Sequence, residues 1–292
     1  MKSKIQNSKS QISSKSQATK FNFLWVFRLM VGIYFGFWFL SFGFSSSSFA
    51  SYISLKTTVT SMVEKDQLKV VISTVNKGDE PAYNVQAEVR VGDKKVLGSK
   101  IQELGINQPY RAEAVFSLRL AKPGRYPMVL IMHYTDANQY PFSALNCQTF
   151  AYKKEAPPED VFGSLRPVSF WKKAEMGLSL KNMGEGNLTA AVALVVPREL
   201  TASSGKIKLN IPSKSEINQR FAVSNFSALS GSNYQIYAVV EYEKDKTHYT
   251  RIIPGVIKIM ETKTVMGINS TVLIAAFVLL VVVFIGFQFI KK

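Results

Sequence analysis

The chain has 292 residues, 47% of them hydrophobic, enough for one large buried core or two of ordinary size. Its formal charge of +16 invites a nucleic-acid reading, but six of the basic residues and none of the acidic ones lie in the first 28 positions. Without that segment the balance is +10 (30 basic against 20 acidic residues), spread thinly in pairs such as Lys94-Lys95 and Lys172-Lys173, which excludes a basic groove for nucleic acid; the single cysteine, Cys147, excludes an intramolecular disulfide.

The first 50 residues have the order of a secretory signal. A basic stretch is followed by the apolar run Leu29–Phe44 and then by small residues, with Ser48 and Ala50 at the −3 and −1 positions of a cleavage site. As a helix that apolar run is about 24 Å long, short of the ~30 Å hydrocarbon core of a bilayer. A cleaved signal peptide over residues 1–50 is the expectation.

From residue 51 onward, short alternating runs are punctuated by Pro and Gly. In AYNVQAEVRV, residues Val85, Ala87, Val89 and Val91 point one way while Gln86, Glu88 and Arg90 point the other. A period of two with a polar outer face predicts antiparallel sheets, each with one side to water. No run of helical period appears between residues 51 and 262.

The same phrase is written twice. An alternating run ends in Asn76-Lys77-Gly78, and another in Asn182-Met183-Gly184, 106 residues later. Downstream, Tyr126 and Tyr134 stand eight apart, as do Tyr234 and Tyr242, 108 residues later. Four landmarks in register predict two copies of one unit of about a hundred residues, the size of an Ig-like sandwich. Asn and Gly both tolerate positive φ, and an Asn side chain can bond the backbone two residues on, so each Asn-x-Gly is expected to shape a corner. The tyrosine pairs are expected to mark one late strand in each copy, with a hydroxyl reaching a backbone group. An exposed aromatic platform for a glycan is the alternative.

Residues 155–166, with Pro157-Pro158, read as a stiff solvated linker between sandwich 1 (51–154) and sandwich 2 (167–262). Val161 to Trp171 also has the composition of a first strand for the second copy. After a short tether, residues 266–290 read as a transmembrane helix, since no charge lies between Lys263 and Lys291. Residues 291–292, Lys-Lys, form a cytoplasmic tail by the positive-inside rule.

VVISTVNKGDEPAYNVQAEVRV, from Val70, resembles the second and third strands of CARDB-type and NEW3-like Ig-like domains, and LSLKNMGEGNLTAAVALVV follows the same outline. The resemblance covers residues 53 to 260. It implies tandem non-catalytic binding or spacer modules on an exported, membrane-anchored protein, and it assigns no binding residue, metal or cofactor.

Catalytic patterns are missing from the sequence. His133 and His248 share a His-Tyr-Thr triplet, but the tyrosine spacing aligns Tyr134 with Tyr242 and so His133 with Glu241. No Gly-rich phosphate loop, nucleophile elbow or zinc-binding spacing occurs. Cys147 alternates with the polar face of its run and reads as a small buried residue. The expected protein is therefore an all-β, non-enzymatic, single-pass membrane protein with its bulk extracytoplasmic. Its partner would be an envelope or membrane protein, as accessory subunit of a complex, or else a surface ligand such as a glycan. An enzyme with a site between the two copies is the third alternative.

Overall fold

The computed structural model describes residues 52–155, 157–203, 205–260, 264–265 and 268–290. The expected signal peptide with Ser48 and Ala50, and the Lys291-Lys292 tail, lie outside the described residues. The described chain is mostly β, with no helix between residues 52 and 260.

The first part runs β1 (Leu55–Glu64), β2 (Gln67–Asn76), β3 (Ala82–Val91), β4 (Lys94–Leu97), β5 (Ile101–Leu104), β6 (Pro109–Ser117), β7 (Gly124–Thr135) and β8 (Pro141–Tyr152). Its sheet β1-β2-β6 faces a second layer built on β3, β7 and β8. Alternation decides what goes inward: Leu68, Val70 and Ile72 of β2 meet Ala87 and Val89 of β3 and Leu130 and Met132 of β7 in one hydrophobic cluster. The polar partners of those residues stay outside, where Lys69 and Glu113 pair at 3.0 Å.

The second part runs β9 (Val161–Leu165), β10 (Val168–Phe170), β11 (Lys173–Asn182), β12 (Leu188–Val195), β13 (Leu200–Ala202), β14 (Ile207–Ile211), β15 (Glu216–Asn225), β16 (Asn233–Lys244) and β17 (Thr247–Ile259). The sheet β13-β15-β11-β9 faces β14-β12-β16-β17 across a separate cluster that includes Leu178, Val192, Phe221 and Ile236. Each part is thus two β layers around its own core.

Two findings differ from the sequence reading. Val161–Leu165 is strand β9, a first strand within the run Val161 to Trp171 as its composition predicts, but it lies inside the expected linker 155–166 and pairs antiparallel with β11 from Leu178↔Leu165 to Asn182↔Val161. Val161 and Leu165 are buried in the second cluster, so hydrophobic burial of two side chains outweighs the break signalled by the prolines. The connector is correspondingly short, and the two parts share a sheet. Ten strands form one sheet with β17 beside β7, joined through the parallel pair His248↔Gly124.

Beyond Met260, β18 (Thr264–Val265) and β19 (Ile268–Asn269) pair antiparallel. They precede helix α1 (Ser270–Ile290), which begins four residues later than the expected span 266–290. Side chains of α1 are described for residues 271–283, and among the described residues no helix is long and apolar enough to cross a membrane.

Candidate functional site: a cleft between the two β units

The strands carrying the two tyrosine pairs run in opposite directions. β17 is parallel to β7 and antiparallel to β16, so β7 and β16 are antiparallel across the molecule. This brings the second tyrosine of one pair to the same end as the first tyrosine of the other. Tyr134 and Tyr234 line one cleft, and Tyr126 and Tyr242 lie toward the opposite end, near the connector.

The seam is made differently along its length. At the connector end the backbones touch: a Cβ on Gly124, whose φ is +139°, would lie 2.1 Å from the His248 carbonyl oxygen. Here the Tyr126 ring stacks on the His248 imidazole, with centroids 4.1 Å apart and planes within 3°. Thr250 Oγ1 donates to the Arg125 carbonyl at 2.9 Å. The Arg125 guanidinium bonds Glu155 and Glu159, and Glu155 above all holds its pKa above the usual range. Arg251 is a second partner for Glu159 at 3.3 Å, and Lys244 bonds Asp160. The expected solvated linker is therefore tied down by charge-assisted hydrogen bonds from both units.

Midway, Ile131, Leu145, Cys147 and Val239 are buried although they belong to neither core. Burial pushes the Cys147 thiol up to about 12, and the Tyr237 phenol bonds the Cys147 backbone. At the far end Glu199, fully buried, accepts from the Ser143 backbone N–H and from its hydroxyl at 2.5 Å. Burial raises the pKa of this carboxyl, and the Ser143 bonds work against the shift. Beside it the Tyr140 hydroxyl donates to the Ser227 carbonyl.

The cleft opens next to that far end, with a volume of about 790 Å³. From the first unit it is walled by Tyr134 and Phe142, stacked at 5.5 Å and 21°. From the second come Tyr234, Asn233 and Gln235, and Tyr52, Glu80 and Asp136 also line it. Burial raises the pKa of both Tyr134 and Tyr234 to about 12, so both phenols stay protonated at neutral pH. Aromatic walls with amides and carboxylates suit stacking and hydrogen bonding to a bound group. Among the described residues no group of three or more His, Cys, Asp or Glu is placed to hold a metal ion.

The remaining residues singled out in the sequence bond the backbone or a neighbouring side chain. Asn76 and Asn182 are both fully buried at strand ends. Asn76 donates to the carbonyls of Glu80 and Leu104, at 2.6 and 3.2 Å, and accepts from Gly78 N–H at 3.0 Å. Asn182 donates to Gly186, Ile211 and Pro212 and accepts from Gly184 N–H at 2.9 Å. Gly78 also permits a close approach, since a Cβ there would lie 2.2 Å from the Tyr52 carbonyl oxygen. Tyr126 donates to the Lys122 carbonyl at 2.8 Å, and Tyr242 accepts from Asp160 N–H at 2.9 Å. The two histidines each face a glutamate, His133 with Glu88 at 2.9 Å and His248 with Glu241 at 3.2 Å. Sequence reasoning missed Glu199, Ser143 and Gly124, because isolated polar or small residues carry no local pattern.

No family model and no curated protein matches the chain. Several solved structures are similar to parts of it. They include Escherichia coli alpha-2-macroglobulin in its native conformation (10% identity over 72% of this chain, TM-score 0.31) and red sea bream transglutaminase (9% identity over 73%, TM-score 0.25). A protein of unknown function from Porphyromonas gingivalis W83 is similar at 13% identity over 70% of this chain and 99% of its own length, with a TM-score of 0.26. The chain spans only 17% of the macroglobulin and 31% of the transglutaminase. At these scores the likenesses carry no argument about activity.

Proposed function

We propose that the protein is a single-pass membrane protein whose two tandem Ig-like β-sandwiches, of the CARDB or NEW3-like kind, lie outside the membrane and position a membrane-embedded or envelope partner without catalysing a reaction. The anchor rests on the sequence Ser270–Ile290, 21 residues without a charge, about 31 Å as a helix and closed by Lys291-Lys292.

One observation favours an accessory subunit over a module that reaches outward. Tyr52, the first described residue, lines the same cleft as Gly231, whose N–H bonds the carbonyl of Ile259 just before the chain leaves at Met260. The cleft thus sits at the end of the β body nearest both chain exits, where a partner in the same membrane would be met. The second reading, a glycan- or ligand-binding surface module, draws support from the Tyr134–Phe142 stack flanked by Asn233 and Gln235.

The deciding experiment is brief crosslinking in the native membrane, followed by purification of the full-length protein in mild detergent. A stoichiometric integral-membrane partner crosslinked near Tyr134 or Tyr234 is expected. Recovery alone, or with envelope polymer only, would contradict the accessory-subunit reading and favour the second.

A further inference from the structure

The β body ends in an apolar rim that neither core explains. Phe226 is 80% exposed, Met260 52%, Leu229 39% and Trp171 38%. These side chains come from three separate segments, yet hydrogen bonds hold the segments side by side. Asn225 Nδ2 donates to the carbonyls of Trp171 and Ala228, each at 3.1 Å, and its Oδ1 accepts from Ala228 N–H at 2.7 Å. Met260 N–H bonds the Phe170 carbonyl at 2.9 Å, and Ser230 Oγ bonds the Met260 carbonyl at 3.3 Å. Phe226 itself is fixed outward, because its N–H and that of Ser227 both donate to the Glu199 carbonyl, at 2.9 and 3.0 Å. The exposure is built into the fold and does not come from a loose loop.

What lies against this rim follows from where the chain goes next. From Met260 to Thr264 there are four peptide steps, at most ~14 Å. The hairpin Thr264↔Asn269 then returns the chain to within ~5 Å of where it began, so with one further step to Ser270 α1 starts no more than ~23 Å from the rim. Two exposed lysines, Lys172 and Lys173, follow Trp171 directly. An aromatic and aliphatic tip edged by lysines matches the boundary between lipid headgroups and acyl chains, where amphipathic rings and long basic side chains are both favoured.

We infer that this end of the β body rests on the lipid bilayer, with Trp171, Phe226, Leu229 and Met260 seated at the headgroup boundary. The body is then held upright by a second contact besides the helix, and the cleft at that end is presented at the membrane surface. The inference depends on α1 being the anchor, and its test separates the two.

Single cysteines are introduced into the full-length chain as Phe226→Cys on the rim, Asp93→Cys at the opposite end and Val278→Cys on α1. Each carries a nitroxide label and is reconstituted in vesicles of phosphatidylcholine and phosphatidylglycerol. The native Cys147 is buried and does not compete for label. Accessibility to oxygen and to a water-soluble nickel chelate is read by electron paramagnetic resonance. The expected result is a Val278 label that meets oxygen but not nickel, and a Phe226 label several-fold less accessible to nickel than the Asp93 label while still open to oxygen. A lipid-buried Val278 label with a Phe226 label as nickel-accessible as Asp93 overturns the docking and leaves the anchor standing. A Phe226 label shielded from both reagents overturns it in favour of a protein covering, such as a second copy. A nickel-accessible Val278 label overturns the anchor and the docking together.

Discussion

Asn76 and Asn182 show how one side chain can close a strand end from inside. Each sits fully buried and trades its amide for backbone groups that would otherwise be unpaired away from water. Asn182→Ala takes the side-chain donor from the Ile211 carbonyl, leaves that of Pro212 to Ser215 Oγ alone, and is expected to cost about 2 kcal/mol, with Asn76→Ala close behind. Asn182→Asp should cost as much, because a carboxylate cannot donate to those carbonyls; chemical denaturation measures all three, and losses under ~0.5 kcal/mol would contradict the role. Glu199 is a different case. Its pKa is raised in the folded state above the ordinary 4.5, so burying it is favourable at low pH and that contribution is lost as pH rises through the folded value. Replacing it with glutamine removes the penalty and keeps the shape, so the stability of Glu199→Gln relative to wild type should rise from pH 4 to pH 7. Glu241 has the opposite sign. Burial works against it, but His248 and Lys206 hold its pKa below 4.5. Its contribution is present above 4.5 and lost as pH falls through the lower folded value, so the deficit of Glu241→Gln should shrink on acidification. Two flat pH profiles would show that neither carboxyl has the assigned environment.

Among the elements, the seam between β7 and β17 depends on a contact only glycine allows. Gly124→Ala places a methyl group against the His248 carbonyl and cannot keep the parallel bridge. The expected outcome is faster proteolysis within residues 153–160, with both hydrophobic clusters intact by near-ultraviolet circular dichroism. An unchanged cleavage rate would mean the charged network around Arg125 and Glu159 holds the seam without the bridge. The strands themselves were readable from sequence wherever one face is dry, as in β3 and β12, because period two leaves no other register that buries Val85 and Val89, or Ala190 and Val192. Strand β9 is expected from the composition of Val161 to Trp171, but not its place inside the linker. Five residues after a double proline carry too little periodicity, and their place is decided by β11, which lies beyond them in the chain. The seam left no trace at all, because Gly124 meets His248 and Ser143 meets Glu199 across long separations, through single contacts that no repeat or motif encodes.

At the scale of the molecule, two β units with separate cores share one sheet, a buried apolar strip and two clamps, and they lie side by side in opposite directions. That arrangement gathers Tyr52, the cleft and Met260 at one end. The proposed membrane anchoring is decided by sidedness. An impermeant thiol reagent applied to intact cells expressing Asp93→Cys or Lys292→Cys tests this most directly, since the buried Cys147 gives little background. Asp93→Cys is expected to be labelled in intact cells and Lys292→Cys only after the membrane is opened. Labelling of both, or of neither, in intact cells would contradict that anchoring.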